Sequence, residues 1–376
     1  MKKIVYLFLI ALLGFTLLNC TPKANNEPEI SLKDAFAGKF LIGTALNIEQ
    51  VAGTDSIGAR VAKEQFNSIV AENCMKSMFL QPQDGVFDFA DADRFVEFGE
   101  QNNMFIVGHV LVWHSQAPAW FFTDDKGKDV SREVLIERIK NHISTVVSRY
   151  KGRVNAWDVV NEAIMDDGSW RKTKFYEIIG EDYVRLAFEF AREADPDAEL
   201  YYNDYSMAHE GRRTGVVAMV KSLQEKGIKV DGIGMQGHFT MDFPTLEEFE
   251  KSLIAFSGLG VKVMITELDM GVLPNLRQDV GANIADTYEY QKELNPYVEG
   301  LPDSVYTAWS DRLSDFFGLF LKHHDKISRV TMWGIADHNS WKNDWPVKGR
   351  TDYPLLFDRN YQAKPIVKQI IEKINP

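Results

Sequence analysis

Only two cysteines, Cys20 and Cys74, occur in the 376 residues, so disulfides do not staple this fold. The eight histidines have no metal-ligand spacing; the one close pair, His323-His324, is adjacent on a helical stretch. No glycine-rich phosphate loop is present, because Gly43-Thr44-Ala45 lacks the further glycines of a dinucleotide fingerprint. Positive charge is scarce. Lys and Arg number 42 against 54 Asp and Glu, a net charge of −12, which repels nucleic acid and anionic membrane surfaces. The apolar run at residues 4–18 is also shorter than the roughly 20 residues that span a bilayer. These absences leave no call for a metal, a cofactor or nucleic acid, and favour a neutral or small ligand.

At 45% hydrophobic and 26% charged, the chain has the balance of a soluble globular protein. Met1-Lys2-Lys3 before the short apolar run reads as a signal peptide over residues 1–19. Its end, Leu17-Leu18-Asn19-Cys20, resembles the lipobox of bacterial lipoproteins. That resemblance implies a lipidated Cys20, a flexible tether over residues 20–34, and export to a bacterial membrane, expected to be the outer membrane. Membrane contact would then be through the lipid alone, and plain secretion is the alternative. Removing residues 1–19 takes Lys2 and Lys3 and no acid, leaving −14. Cys74 is left without a partner and reads as a small core residue. Nothing calls for a partner chain, so a monomer is expected.

Short apolar runs recur along residues 35–376, at 41–47, 74–80, 105–113, 155–162, 199–205, 232–239, 262–270 and 329–337. Several are apolar on both faces, as a parallel strand covered on both sides requires. Between them lie helical patterns: Leu135, Ile139, Ile143, Val146 and Tyr150 step by three or four. Thr245 with Glu248 forms a capping box, and an amphipathic helix closes the chain at 365–374. Eight β-then-α units predict an α/β fold, a single-domain (β/α)8 TIM barrel. The seventh unit is overlong, which predicts an insertion around 295–315, broken into helical pieces by Asn295-Pro296 and Leu301-Pro302.

Catalytic groups of such barrels sit at the C-terminal ends of the strands. Two carboxylates do so here, Glu162 after Val159-Val160-Asn161 and Glu267 after Ile265-Thr266. A carboxylate closing a buried strand is costly to desolvate without partners or a task. Either one alone could be a structural ion pair; two at one rim are the equipment for cleaving a glycosidic bond. Asn161 adjoins Glu162 and can bind a sugar hydroxyl, Asp269 shares a strand face with Glu267, and His238 can sit between them. Other strand ends carry sugar-binding types: Glu72, Asn73, Lys76, His109, Trp113, His114, Gln116, Asn203, Tyr205, Trp333 and Trp341. Flat sugar faces stack on Trp while hydroxyls need paired donors and acceptors. Trp157 and Trp309 read as core; Trp120, Trp170 and Trp345 stay open.

The motifs Trp157-Asp158-Val159-Val160-Asn161-Glu162, Ile265-Thr266-Glu267-Leu268-Asp269 and Gly108-His109-Val110-Leu111-Val112-Trp113-His114 resemble the glycoside hydrolase family 10 xylanases. So do Glu72-Asn73-Cys74-Met75-Lys76, Asn203-Asp204-Tyr205, Gly234-Met235-Gln236-Gly237-His238-Phe239 and Val330-Thr331-Met332-Trp333-Gly334, all in the family's order. The resemblance implies a retaining endo-β-1,4-xylanase acting on xylan and xylo-oligosaccharides. Glu162 would be its acid/base and Glu267 its nucleophile, with His238 and Asp269 around the latter. Glu72, Asn73, Lys76, His109, Trp113, Gln116 and Asn161 would bind the non-reducing side. Gln236, Trp333 and Trp341 would surround the reacting sugar, and Tyr205 would face the leaving group. Val107, Ser77 and Ser206 depart from the family's usual residues and touch neither Glu. Two alternatives stand beside this: a retaining barrel glycosidase for cellulose, mixed-linkage glucan or mannan, and a non-catalytic, lipid-anchored glycan-binding protein.

Overall fold

The computed structural model describes residues 30–274, 276 and 287–374, so the signal peptide, Cys20 and most of the tether lie outside the described residues. Among the described residues, burial of apolar surface begins at Leu32, inside the tether expected over 20–34. Ser31 caps the short helix Leu32–Ala35, and Leu32 and Phe36 are fully buried.

Among the described residues nine strands follow: β1 Leu41–Leu46, β2 Ser68–Ala71, β3 Phe105–Trp113, β4 Ala156–Asn161, β5 Glu199–Asp204, β6 Gly232–Met235, β7 His238–Phe239, β8 Lys262–Met270 and β9 Ile327–Met332. All pairings between them are parallel. β6 and β7 are two parts of one stave, both against β8, interrupted at Gly237 with φ +86°. β9 pairs with β1 from Leu41↔Arg329 to Thr44↔Met332, which closes an eight-stave barrel.

Period-2 alternation sorts the strand side chains. Ala45, Val70, Val107, Ala156, Tyr201 and Met264 pack together in one small cluster, with Trp333 over them. Two residues further along four of those strands come His109, Asp158, Asn203 and Thr266. The interior thus changes from apolar to polar toward the C-terminal rim. A much larger apolar cluster joins the strands to the surrounding helices, with Trp157, Trp309, Phe316 and Phe320 fully buried in it. Gly108 makes room for Trp157: a Cβ there would lie 2.2 Å from the indole.

Two expectations change. The second stave is Ser68–Ala71 and not residues 74–80, where Ser77–Leu80 forms one helical turn with Met78 and Phe79 exposed. The four-residue strand, opening on a serine, was too short to stand out against the more apolar run after it. The change matters, because Glu72, Asn73 and Lys76 now follow the strand and so reach the C-terminal rim. In unit seven, Asp303–Lys322 is one continuous helix burying Trp309, Leu313, Phe316 and Phe317. Residues 303–315 therefore belong to the barrel's helical layer. The extra chain lies before them, within 271–302, where the described residues include a single 3-10 turn, Lys292–Leu294.

Candidate active site

The strand ends converge on a cavity of about 330 Å³ at the C-terminal rim. Glu72, Asn73, Lys76, His109, Trp113, Gln116, Asn161, Glu162, Tyr205, Gln236, His238, Glu267, Trp333 and Trp341 all line it. Asp269 lies directly beneath, fully buried. These residues and Asp269 thus lie at one place; Asn203 reaches it through its bond to Glu267, His114 is not among the lining residues, and Cys20 is outside the described residues.

Glu267 ends up ringed by donors. Its Oε1 accepts from Asn203 Nδ2 at 2.7 Å, and its Oε2 lies 3.1 Å from His238 Nε2. The other ring nitrogen, Nδ1, lies 2.9 Å from Asp269 Oδ2. Both nitrogens face carboxylates, and both can donate only when the ring carries two protons. Burial disfavours that charge, but Asp269 and Glu267 outweigh it and raise the His238 pKa above its ordinary value. Burial also works against ionised Glu267. The hydrogen bond from His238, the charges of His109 and His238, and the Asn203 amide overcome it, so its pKa is lowered. Asp269 receives Trp341 Nε1 at 2.8 Å and faces Lys342 Nζ at 3.2 Å.

Glu162 sits differently. Its backbone is left-handed, φ +62°, a conformation that costs a non-glycine residue about 1–3 kcal/mol and persists only where its surroundings impose it. Its N–H donates to Asn203 O at 2.9 Å, and its carbonyl accepts Arg171 Nε at 2.8 Å. Its Oε2 accepts Trp113 Nε1 at 2.9 Å, and its Oε1 accepts Gln236 Nε2 at 3.0 Å. Asn161 and Asn203 run between the two carboxylates: Asn203 Nδ2 donates to Asn161 Oδ1 at 3.1 Å, and Asn161 Nδ2 lies 3.3 Å from Glu162 Oε1.

On one flank, Lys76 Nζ donates to Asn73 Oδ1 at 2.9 Å and Gln116 Oε1 at 2.8 Å, and lies 5.0 Å from the centre of the Trp113 ring. Burial lowers its pKa to about 8 against the opposing pull of Glu72, Glu267 and Glu162. His109 is oriented by Asp158, 2.9 Å away, and meets Trp333 edge-on at 5.3 Å. On the opposite flank Tyr205 receives Arg171 Nη2 at 2.8 Å, with the Arg212 guanidinium 3.9 Å from its ring centre. Trp345 stacks on Trp341 at 5.1 Å and lines the cavity. Trp120 and Trp170 pack half-buried on the helical layer instead.

Sequence reasoning missed Lys342, Arg171, Thr287 and Asp344. The first two act on site residues and the last two line the cavity. Lys342 follows Trp341 directly and was within reach; Arg171 and Thr287 carry no local signal.

A closed (β/α)8 barrel with two buried carboxylates over one aromatic-lined cleft defines a glycoside hydrolase of the two-carboxylate kind. Both carboxylates line the same cavity, and Glu267 is kept ionised by its neighbours. The chain belongs to glycosyl hydrolase family 10, whose model matches residues 31–373. It is similar to an endo-1,4-beta-xylanase A of Xylanibacter ruminicola, 50% identical over 96% of this chain and 97% of that one. An endo-1,4-beta-xylanase of Geobacillus stearothermophilus is 41% identical over 91% of this chain and 98% of its own. Among solved structures, an endoxylanase of this family from a sugarcane soil metagenome superposes with TM-score 0.87 at 45% identity, covering 91% of this chain and 99% of that one.

Proposed function

We propose that the protein is a retaining endo-β-1,4-xylanase that cuts xylan by double displacement. The observation that carries the reading is Glu267 held as a carboxylate between Asn203 and His238, opposite Glu162 in the same cleft. In the first step a Glu267 oxygen bonds to the anomeric carbon, and the glycosidic bond breaks. Glu162 gives its proton to the departing sugar oxygen. In the second step Glu162, now a base, takes a proton from water, whose oxygen displaces Glu267. The released sugar keeps its anomeric configuration. His238, oriented by Asp269, keeps the nucleophile ionised and aimed. Asn161 binds a hydroxyl beside the reacting carbon, and Lys76, Asn73 and Gln116 bind the non-reducing side.

Exposing Glu267→Ala to xylan should leave less than a thousandth of wild-type turnover with xylo-oligosaccharide binding retained. Turnover near wild type would move the nucleophile elsewhere. Parallel digestion of xylan, cellulose and mannan separates the substrate classes, and equal rates on all three would sink the xylan preference. NMR of the first-formed product should show the β-anomer.

The export reading belongs to the same proposal. Leu17-Leu18-Asn19-Cys20 after a short apolar run supports a lipid on Cys20, and the reading takes the protein as a monomer held by it at the outer membrane. Labelled palmitate should enter the wild type and not Cys20→Ala; incorporation into both would refute it.

A further inference from the structure

We propose that Arg171 is a positioning residue for the acid/base: it fixes the Glu162 backbone and ties it to Tyr205, setting the proton donor and the leaving-side contact together. The inference rests on the roles proposed above for Glu162 and Tyr205.

The geometry is built just past β4. After Glu162 the chain folds back as a hairpin, with Ile164 paired antiparallel to Trp170 and Arg171 N–H donating to Ala163 O at 2.8 Å. That return brings the Arg171 guanidinium under the left-handed Glu162 peptide. Nε donates to the Glu162 carbonyl and Nη2 to the Tyr205 hydroxyl, each at 2.8 Å. A guanidinium is planar, and its donors diverge at fixed angles, so two acceptors held by it are held relative to one another. A lysine ammonium cannot impose that relation. The left-handed turn at Glu162 is intrinsically unfavourable, and losing the bond to its carbonyl lets the peptide relax and swing the carboxyl. Arg171 touches no reacting atom; it acts through Glu162.

How much the first step needs a well-placed proton from Glu162 depends on the leaving group. A sugar leaving group needs protonation, whereas a dinitrophenolate leaves without it. Arg171→Lys and Arg171→Gln are therefore measured on xylotetraose and on dinitrophenyl xylobioside, with melting followed in parallel. A misplacement of about 1 Å costs on the order of 100-fold, so kcat/KM on xylotetraose should fall by about that factor, and on the aryl substrate by less than about threefold. Azide should restore turnover of the aryl substrate where release of the intermediate has slowed. An equal loss on both substrates, or none on either, overturns the proposal. Should both variants fail to fold, Arg171→Met, which keeps the apolar stem and removes every donor, is measured on the same two substrates. Xylotetraose turnover should again fall with the aryl substrate spared, and equal effects overturn the proposal. Glu162→Ala serves as the control: were it to lose equally on both substrates, the acid/base assignment would fall, separately from Arg171.

Discussion

Replacing Asp269 by Asn removes one charge from beneath the active site and leaves its shape. Asp269 is fully buried and meets His238 Nδ1 at 2.9 Å, Trp341 Nε1 at 2.8 Å and Lys342 Nζ at 3.2 Å. Burial alone would raise its pKa. The charges of His238 and Lys342, with hydrogen bonds from His238 and Trp341, bring it down to about 2 from an ordinary 3.8. A difference near two units corresponds to about 2.5 kcal/mol favouring the folded, ionised state. Removing one partner of a buried ion pair also strands the others, so the total loss at pH 6 should be about 3–5 kcal/mol. In a chain this size that is roughly a 4–7 °C fall in Tm. The pH dependence is the sharper test. A depressed carboxyl contributes fully above its unfolded pKa, and the contribution fades as pH falls from about 4 toward 2. Across pH 2–6 the wild-type folded-state His238 stays below its raised pKa, so its charge does not change there. Chemical unfolding of wild type and Asp269→Asn should show a stability gap that is constant from pH 6 to about 4 and narrows below. A gap that keeps its size down to pH 2, or no gap at pH 6, would refute the electrostatic reasoning.

Lys76 sheds its proton as pH rises through about 8, so the charge proposed to contact the non-reducing sugars is present below that pH. KM for xylo-oligosaccharides should climb severalfold between pH 7.5 and 9.5, and Lys76→Arg should move the rise upward; a flat KM contradicts this. Gly108→Ala places a methyl 2.2 Å from the fully buried Trp157 ring, and overpacking of this kind costs about 1–3 kcal/mol or more. Its Tm should drop by several degrees or the protein should fail to accumulate, and wild-type melting would show that the strand yields.

The barrel was legible because seven of its staves coincide with long apolar runs, and because a βα alternation of this kind has few other solutions. Both carboxylates were legible for a related reason: a charge at the end of such a run is conspicuous. Ser68–Ala71 was not, since four residues give period-2 reasoning too little to count. The same limit hid the break at Gly237. Residues that act through others were harder still. Asn203 bonds Glu267 and, through Asn161, reaches the other carboxylate, and Arg171 supports Glu162 from a hairpin nine residues on. Contacts of that kind depend on where the backbone turns, and the left-handed Glu162 has no signature in the residue type. The role of residues 287–302 becomes partly visible. Tyr288 N–H donates to Pro346 O at 2.8 Å, and Thr351 N–H to Asn295 Oδ1 at 2.8 Å, so this stretch braces the loop that carries Trp345.

The pairing of β1 with β9 has a consequence for how the protein is made. The stave that closes the barrel is also the last to leave the ribosome. At about 5–20 residues per second, β9 is synthesised roughly 3–12 s after β8 is complete. Glu162 and Glu267 have both been translated by then, while the edges of β1 and β8 still wait for their neighbour. During those seconds the nascent chain presents two open strand edges to anything able to pair with them. A ribosome stalled in that window would hold both reactive carboxylates and no enclosed cleft around them.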